Sequence, residues 1–236
     1  MSLDRTVGLI ELPEPTTHRM ELVAAPREEK GGPPGAPISS WIELSDPQYI
    51  TLSKTPASDD EELAQFLAVN DGRYRYDYVR LGCTFCPQKG ERFDKAWLTV
   101  TLKPEGGQPS EVPISWSIFP LDDHDTIEKT VGAKIGASGK ILNAETSASS
   151  KVARKLYNLR GYREGNPNPY WEMYGSVSNT LDGVLRFHMV VRSAVLSSTL
   201  GEIRLEAVIS NRSFFVFREK RVFDQSPCSV FCLPPS

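Results

Sequence analysis

The sequence predicts an all-β fold, an antiparallel β-sandwich of roughly 10–13 strands with one short helix. Apolar and polar residues alternate with period two through most of the chain, which is the pattern of half-buried strands. Turn-forming pairs separate the alternating runs. The 18 prolines among 236 residues are spread throughout and leave little room for long helices.

The strongest alternation runs through Tyr74–Cys83. Tyr74, Tyr76 and Tyr78 share one face there, and Val79, Leu81 and Cys83 the other. Leu98, Val100 and Leu102 continue the pattern from Ala96. Val112, Ile114, Trp116 and Ile118 form the expected inward set of the next strand. Leu185, Phe187, Met189 and Val191 alternate with Arg186 and His188, which places His188 on an exposed face. Ile203, Leu205, Ala207 and Ile209 form a further inward set. The short apolar run Phe214–Phe217, with Phe215 in the core, reads as a strand buried on both faces. Weaker strands are expected at Val7–Leu12, Arg19–Ala24, Trp41–Leu44, Tyr49–Leu52 and Trp171–Ser178. Asp182-Gly183 has the chemistry of a hairpin turn.

The helix is expected after Ser58-Asp59-Asp60-Glu61, which fits a capping box. Leu63, Phe66 and Leu67 give its apolar stripe, and Asn70-Asp71-Gly72 its end. It reads as a plug for one end of the sandwich. Residues 28–37, EEKGGPPGAP, read as a flexible loop within a single domain spanning 1–236. The length is near the upper size for one hydrophobic core.

The net charge of −3 conceals an uneven layout. Residues 1–71 hold 13 acids and 5 bases, whereas residues 130–163 hold one acid and seven bases. The overall sign argues against a general nucleic-acid binder. The basic segment contains Lys151, Arg154, Lys155, Arg160 and Arg163, interleaved with Tyr157 and Tyr162. The leading expectation for 130–163 is a pair of strands with solvated lysines. A second is an anion-binding surface for nucleic acid or an anionic membrane. A third is a membrane-inserting hairpin, since small apolar residues alternate there with Ser, Thr and Lys. Its alanine-rich face weighs against the third.

Cys83 and Cys86 have the spacing of a metal knuckle, and Cys228 and Cys232 form a second pair. Together they could supply a structural zinc site with four thiolates. Unligated apolar thiols are the leading expectation, and a redox or disulfide pair is a third. The Asp122-Asp123-His124-Asp125 run lacks the ligand spacing of a calcium loop and reads as a solvated turn. No phosphate loop, nucleophile elbow or zinc-protease motif occurs. No signal-peptide pattern opens the sequence, so a cytoplasmic location is expected.

The functional expectation is therefore a non-enzymatic binding or assembly module, with another protein or a second copy of itself as partner. The acidic N-terminal third and the basic segment could pair within or between chains. Anion binding and an enzyme without a local motif are the alternatives.

Overall fold

The computed structural model describes residues 9–12, 15–20, 22–24, 40–52, 61–70, 72–106, 111–121, 130–135, 138–146, 158–175, 180–211, 217–223 and 229–235. It is an all-β fold with one short helix. The elements are β1 (Leu9–Glu11), β2 (Thr17–Met20), β3 (Leu22–Ala24), β4 (Trp41–Ser45), β5 (Gln48–Thr51), α1 (Glu61–Asn70), β6 (Tyr74–Cys86), β7 (Glu91–Pro104), β8 (Ile114–Phe119), β9 (Thr130–Ile135), β10 (Ile141–Thr146), β11 (Asn158–Tyr162), β12 (Tyr170–Tyr174), β13 (Gly183–Ala194), β14 (Thr199–Asn211), β15 (Phe217–Phe223) and β16 (Ser229–Leu233). The expected loop 28–37, the run Asp122–Asp125, the capping residues 58–60 and Phe215 lie outside the described residues.

Two large antiparallel sheets face each other. One runs β11-β12-β7-β14-β15-β3, with β16 also on β14. The other runs β2-β4-β6-β13-β8, with β5 also on β6. The inner faces carry the sets that alternation singles out. Val79, Leu81 and Cys83 meet Leu98, Val100, Leu185, Phe187, Met189, Leu205 and Ile209 in one core. Period-two patterning explains this directly, because one face of each strand is apolar and must be removed from water.

β6, β7, β13 and β14 are long, at 12–14 residues. Two shorter strands can therefore share one edge. β16 pairs with Thr199–Ile203 of β14, and β15 with Glu206–Asn211. Gly201 makes the β16 contact close, because a Cβ there would overlap the Phe231 ring. Gly201→Ala is expected to displace Phe231 and cost about 1–3 kcal/mol through overpacking. Urea denaturation would measure it, and an unchanged midpoint would contradict the close approach.

Three expectations are corrected. Asp182-Gly183 is not a hairpin turn between paired strands. Gly183 does have a positive φ of 77°, but β12 belongs to one large sheet and β13 to the other, so the chain crosses between sheets there. Val112 is not inward; it precedes β8 and is exposed. Trp116 does not share a face with Ile118. Ser117 pairs with Val190 and Ser115 with Val191, leaving Trp116 as the extra residue of a β-bulge. A bulge re-aims the side chain at the irregularity, and Trp116 turns to the outer side of its sheet.

A third sheet goes beyond the two-sheet expectation. β1, β9 and β10 form a separate antiparallel sheet in the order β1-β9-β10. Leu9, Ile10 and Glu11 pair with Lys134, Ala133 and Gly132, so the acidic N-terminal region and the basic segment meet within one chain.

Candidate functional site

The third sheet and α1 cover the outer face of the β6–β13–β8 region. That face is rich in aromatic groups because Tyr74, Tyr76 and Tyr78 all project from one side of β6. Tyr76, Tyr78, Phe119 and Val190 are buried there with Leu52, and Ile135 and Ile141 reach in from the third sheet. Leu12, Ile50, Phe66, Leu67, Tyr74 and Trp116 pack around them. The helix thus lies on a sheet face, not at the end of the sandwich where a plug is expected.

Phe66, Tyr76 and Trp116 form a ring cluster with centroids 5.2, 6.2 and 5.9 Å apart. The Arg192 guanidinium lies 4.5 Å from the Tyr74 ring centre and 5.1 Å from that of Trp116. Such contacts neutralise part of the cost of holding a cation against apolar surface.

Among the described residues, several polar contacts join the third sheet to the body of the fold. The Trp116 indole N–H donates to the Ser138 carbonyl at 2.9 Å. The Ile141 amide donates to the Ser117 hydroxyl at 3.0 Å. Lys140 Nζ lies 3.2 Å from the Glu164 carboxylate. Gly139, at φ 69°, sits so close to Phe66 that a Cβ would approach its ring to 2.6 Å. Among the described residues, no backbone ladder joins this sheet to either large one.

His188 corrects a further expectation. It is 0% exposed, although its position on β13 faces away from the sandwich core. The rings beside it, Tyr78 and Phe119, belong to the cluster that Leu52, Ile135 and Ile141 join on this outer face. His188 Nδ1 shares a hydrogen bond with the Tyr78 hydroxyl at 2.6 Å, and the two rings stack at 5.8 Å. Its Nε2 is buried without a partner. Burial, then the positive charges of Arg80 and Arg186, lower the His188 pKa to about 3. Burial pushes the Tyr78 hydroxyl well above its ordinary value, against a smaller opposing pull from the same two arginines. Both groups are therefore neutral near pH 7. Alternation marks His188 as outward, but nothing local in the sequence marks an outward residue as covered.

The expected anion-binding residues are only partly placed. Lys151, Arg154 and Lys155 lie outside the described residues. Arg160 is on β11, with Glu172 as its ladder partner. Arg163 follows β11 at φ 64°, and its guanidinium lies 5.6 Å from the Tyr170 ring centre. Tyr170 stacks with Tyr162 at 4.8 Å. The Ser115 hydroxyl is 2.8 Å from the Asn166 carbonyl and 3.2 Å from that of Arg163, which holds the turn between β11 and β12.

The three described cysteines are dispersed. Cys83 is in the sandwich core, whereas Cys86 is half-buried on the other side of β6. Cys232 is exposed on β16, in the opposite sheet, 3.4 Å from a Glu105 carboxylate oxygen. Cys228 lies outside the described residues. Burial raises the Cys83 thiol far above its usual range. Burial, then the Glu43 carboxylate, raises Cys86; burial, then the bond to Glu105, raises Cys232. Among the described residues, no group of three His, Cys, Asp or Glu side chains is arranged to hold a metal ion. No helix among them is long and apolar enough to cross a membrane.

No protein-family model matches the chain, and no curated protein sequence matches it. Solved structures similar to it include Clostridium perfringens delta-toxin, at 10% identity and a TM-score of 0.32, covering 98% of this chain and 93% of that one. Another is the Clostridium perfringens NetB toxin in its membrane-inserted form, at 10% identity and a TM-score of 0.33, covering 92% and 94%. At these scores the likeness does not establish a common fold.

Proposed function

We propose that this protein is a non-enzymatic assembly module acting at a lipid surface, a rigid β-sandwich that carries a releasable β-hairpin. The observation behind this reading is the separate third sheet. It covers an aromatic face yet shares no ladder with the sandwich among the described residues.

A released β9–β10 hairpin would carry unpaired edges, and edges of this kind recruit neighbouring strands. Hairpins from several copies would satisfy one another, and closure would remove the edges altogether. The ladder suits such a role. Lys134 pairs with Asn143, Ala133 with Ala144, and Gly132 with Glu145, so polar and small apolar pairs alternate along it. A strand that spans lipid alternates in this way, with one face to the hydrocarbon and the other to water. Spanning needs about 9–11 residues per strand. The described strands have six residues each, so spanning requires the hairpin to lengthen on release. The basic residues Lys151, Arg154 and Lys155 follow β10 in the sequence and supply positive charge suited to anionic headgroups.

A disulfide between Ile10→Cys and Ala133→Cys tests the reading in a Cys232→Ser background. These positions are directly opposite on β1 and β9, and such pairs are spaced suitably for a disulfide. β1 is joined to β2 of the sandwich through residues 12–16, so the bond ties the hairpin to the body. Oxidised protein is expected to release dye from anionic vesicles at least about tenfold more slowly than reduced protein, one decade of rate being about 1.4 kcal/mol of barrier. Cross-linked oligomers should appear only on reduction. Equal release from both forms, or no release from either, would overturn the reading.

A further inference from the structure

We propose that His188 is an acid-sensitive latch, and that its protonation favours lifting of the third sheet from the sandwich. The inference rests on the releasable-sheet reading and names what regulates it.

The groups around His188 favour its neutral form in the closed state. From β6 it faces the Tyr78 hydroxyl and, as its direct ladder partner, Arg80. Arg80 is buried and bonded to the neutral Gln48 side chain of β5. Along β13 the next outward residues are the cationic Arg186 and the apolar Val190, with the cationic Arg192 beyond. From β8 the neighbour is the Phe119 ring, 6.1 Å away. The covering sheet contributes the apolar Ile135 and Ile141 to this layer, and its Lys140 is engaged by Glu164. No carboxylate contributes to the His188 shift, and both charges that do are positive.

An imidazolium in this layer would bring a second proton to a buried ring with no acceptor at Nε2, between two guanidinium groups. Burial of an unpaired charge is among the most costly arrangements in a protein. Lifting the third sheet admits water to Nε2 and removes most of that cost. Protons therefore bind the open state more tightly than the closed one, and by linkage acid shifts the equilibrium toward opening.

The sign follows from the depressed value. With a closed-state pKa of about 3 and an ordinary one near 6.5, the closed state is fully favoured above about pH 6.5. It loses roughly a factor of ten per pH unit as the pH falls from there toward about 3. Between pH 6.5 and 4.5 the population of the open state is expected to rise about 50-fold.

Hydrogen exchange without lipid tests this in the full chain. Amides of Ile135 and Ile141 report opening of the third sheet, and those of Leu98 and Val100 report the sandwich. His188→Asn keeps an acceptor within reach of the Tyr78 hydroxyl and removes the titrating ring. Comparing the two proteins at one pH cancels the intrinsic pH dependence of exchange. The ratio of unmodified to variant opening should climb about tenfold per unit between pH 6 and 4, with the sandwich amides unmoved. A ratio that is flat with pH overturns the latch. If His188→Asn does not fold, NMR titration of the three histidines in the unmodified chain decides. An imidazole at His188 that titrates near its ordinary value with the sheet still closed overturns the proposal, and one that stays neutral until the Ile135 and Ile141 amides open supports it. A flat ratio together with vesicle leakage blocked by the engineered disulfide between positions 10 and 133 removes the latch and leaves the releasable sheet standing. Leakage that ignores that disulfide removes the sheet reading whatever His188 does.

Discussion

Arg75→Ala is expected to destabilise the protein by about 3–5 kcal/mol, because it removes one partner of a buried ion pair. Arg75 Nε lies 2.6 Å from the Asp77 carboxylate, with both side chains about 1% exposed. The remaining guanidinium nitrogens reach the end of β16 in the other sheet, and also β13 and the turn that follows it. They donate to the Leu233 carbonyl at 3.2 Å, the Pro234 carbonyl, the Ser197 carbonyl at 3.4 Å and the Ser193 hydroxyl at 3.2 Å. One side chain thus ties the end of β16 to β6 while neutralising a buried carboxylate. Asp77 also accepts from the Thr51 hydroxyl at 2.7 Å, but a neutral donor does not replace the positive charge of the guanidinium. Removing both charges together should cost less than removing one, because no unpaired ion remains. Urea denaturation of Arg75→Ala and of Arg75→Met/Asp77→Leu makes the comparison. A double variant less stable than Arg75→Ala contradicts the account.

Trp171→Ala is expected to cost a similar amount, about 3–5 kcal/mol, by a different mechanism. Trp171 is fully buried on β12 and spans the sandwich. Its ring lies 5.2 Å from Phe187 on the opposing sheet, and its indole N–H donates to the Pro120 carbonyl at 3.1 Å. Alanine leaves a cavity between the sheets and an unpaired carbonyl. Trp171→Phe separates these effects, because it retains most of the apolar volume and removes the donor. Its cost should fall to about 1–3 kcal/mol, that of an unsatisfied buried acceptor. Thermal denaturation would show each as a fall of about 2–4 °C per kcal/mol for a chain of this size. Equal losses for the two variants would mean that the hydrogen bond, not the packing, dominates at this position.

Alternation identifies the inner faces of β6, β7, β13 and β14 residue by residue. Leu81, Leu98, Phe187 and Leu205 meet in one core as their spacing implies. Period two is a local property of the chain, and burial of one face follows from it. The candidate site is less legible. Tyr74, Tyr76 and Tyr78 read as one face, yet a shared face says nothing of what lies over it. Spacing puts Trp116 on the wrong face because a bulge is set by the partner strand, here between Val190 and Val191. Arg160 and Arg163 stand out by their charge, which leaves their ladder positions and ring contacts undetermined.

Local patterning is enough to give the class of fold, the two faces of each long strand, and the concentration of positive charge in residues 130–163. Which sheet each strand joins is a matter of tertiary contact, since ladder partners such as Leu205 and Leu98 are far apart in the chain. Tertiary contact also draws β9 and β10 out of the sandwich to pair with β1. The same step takes His188 from a face open to water into a layer with an unpaired nitrogen. One cause is common to all three. A strand's pattern fixes which side is apolar, but the environment of its other side is supplied by residues distant in sequence, through contacts that form only when the chain closes on itself.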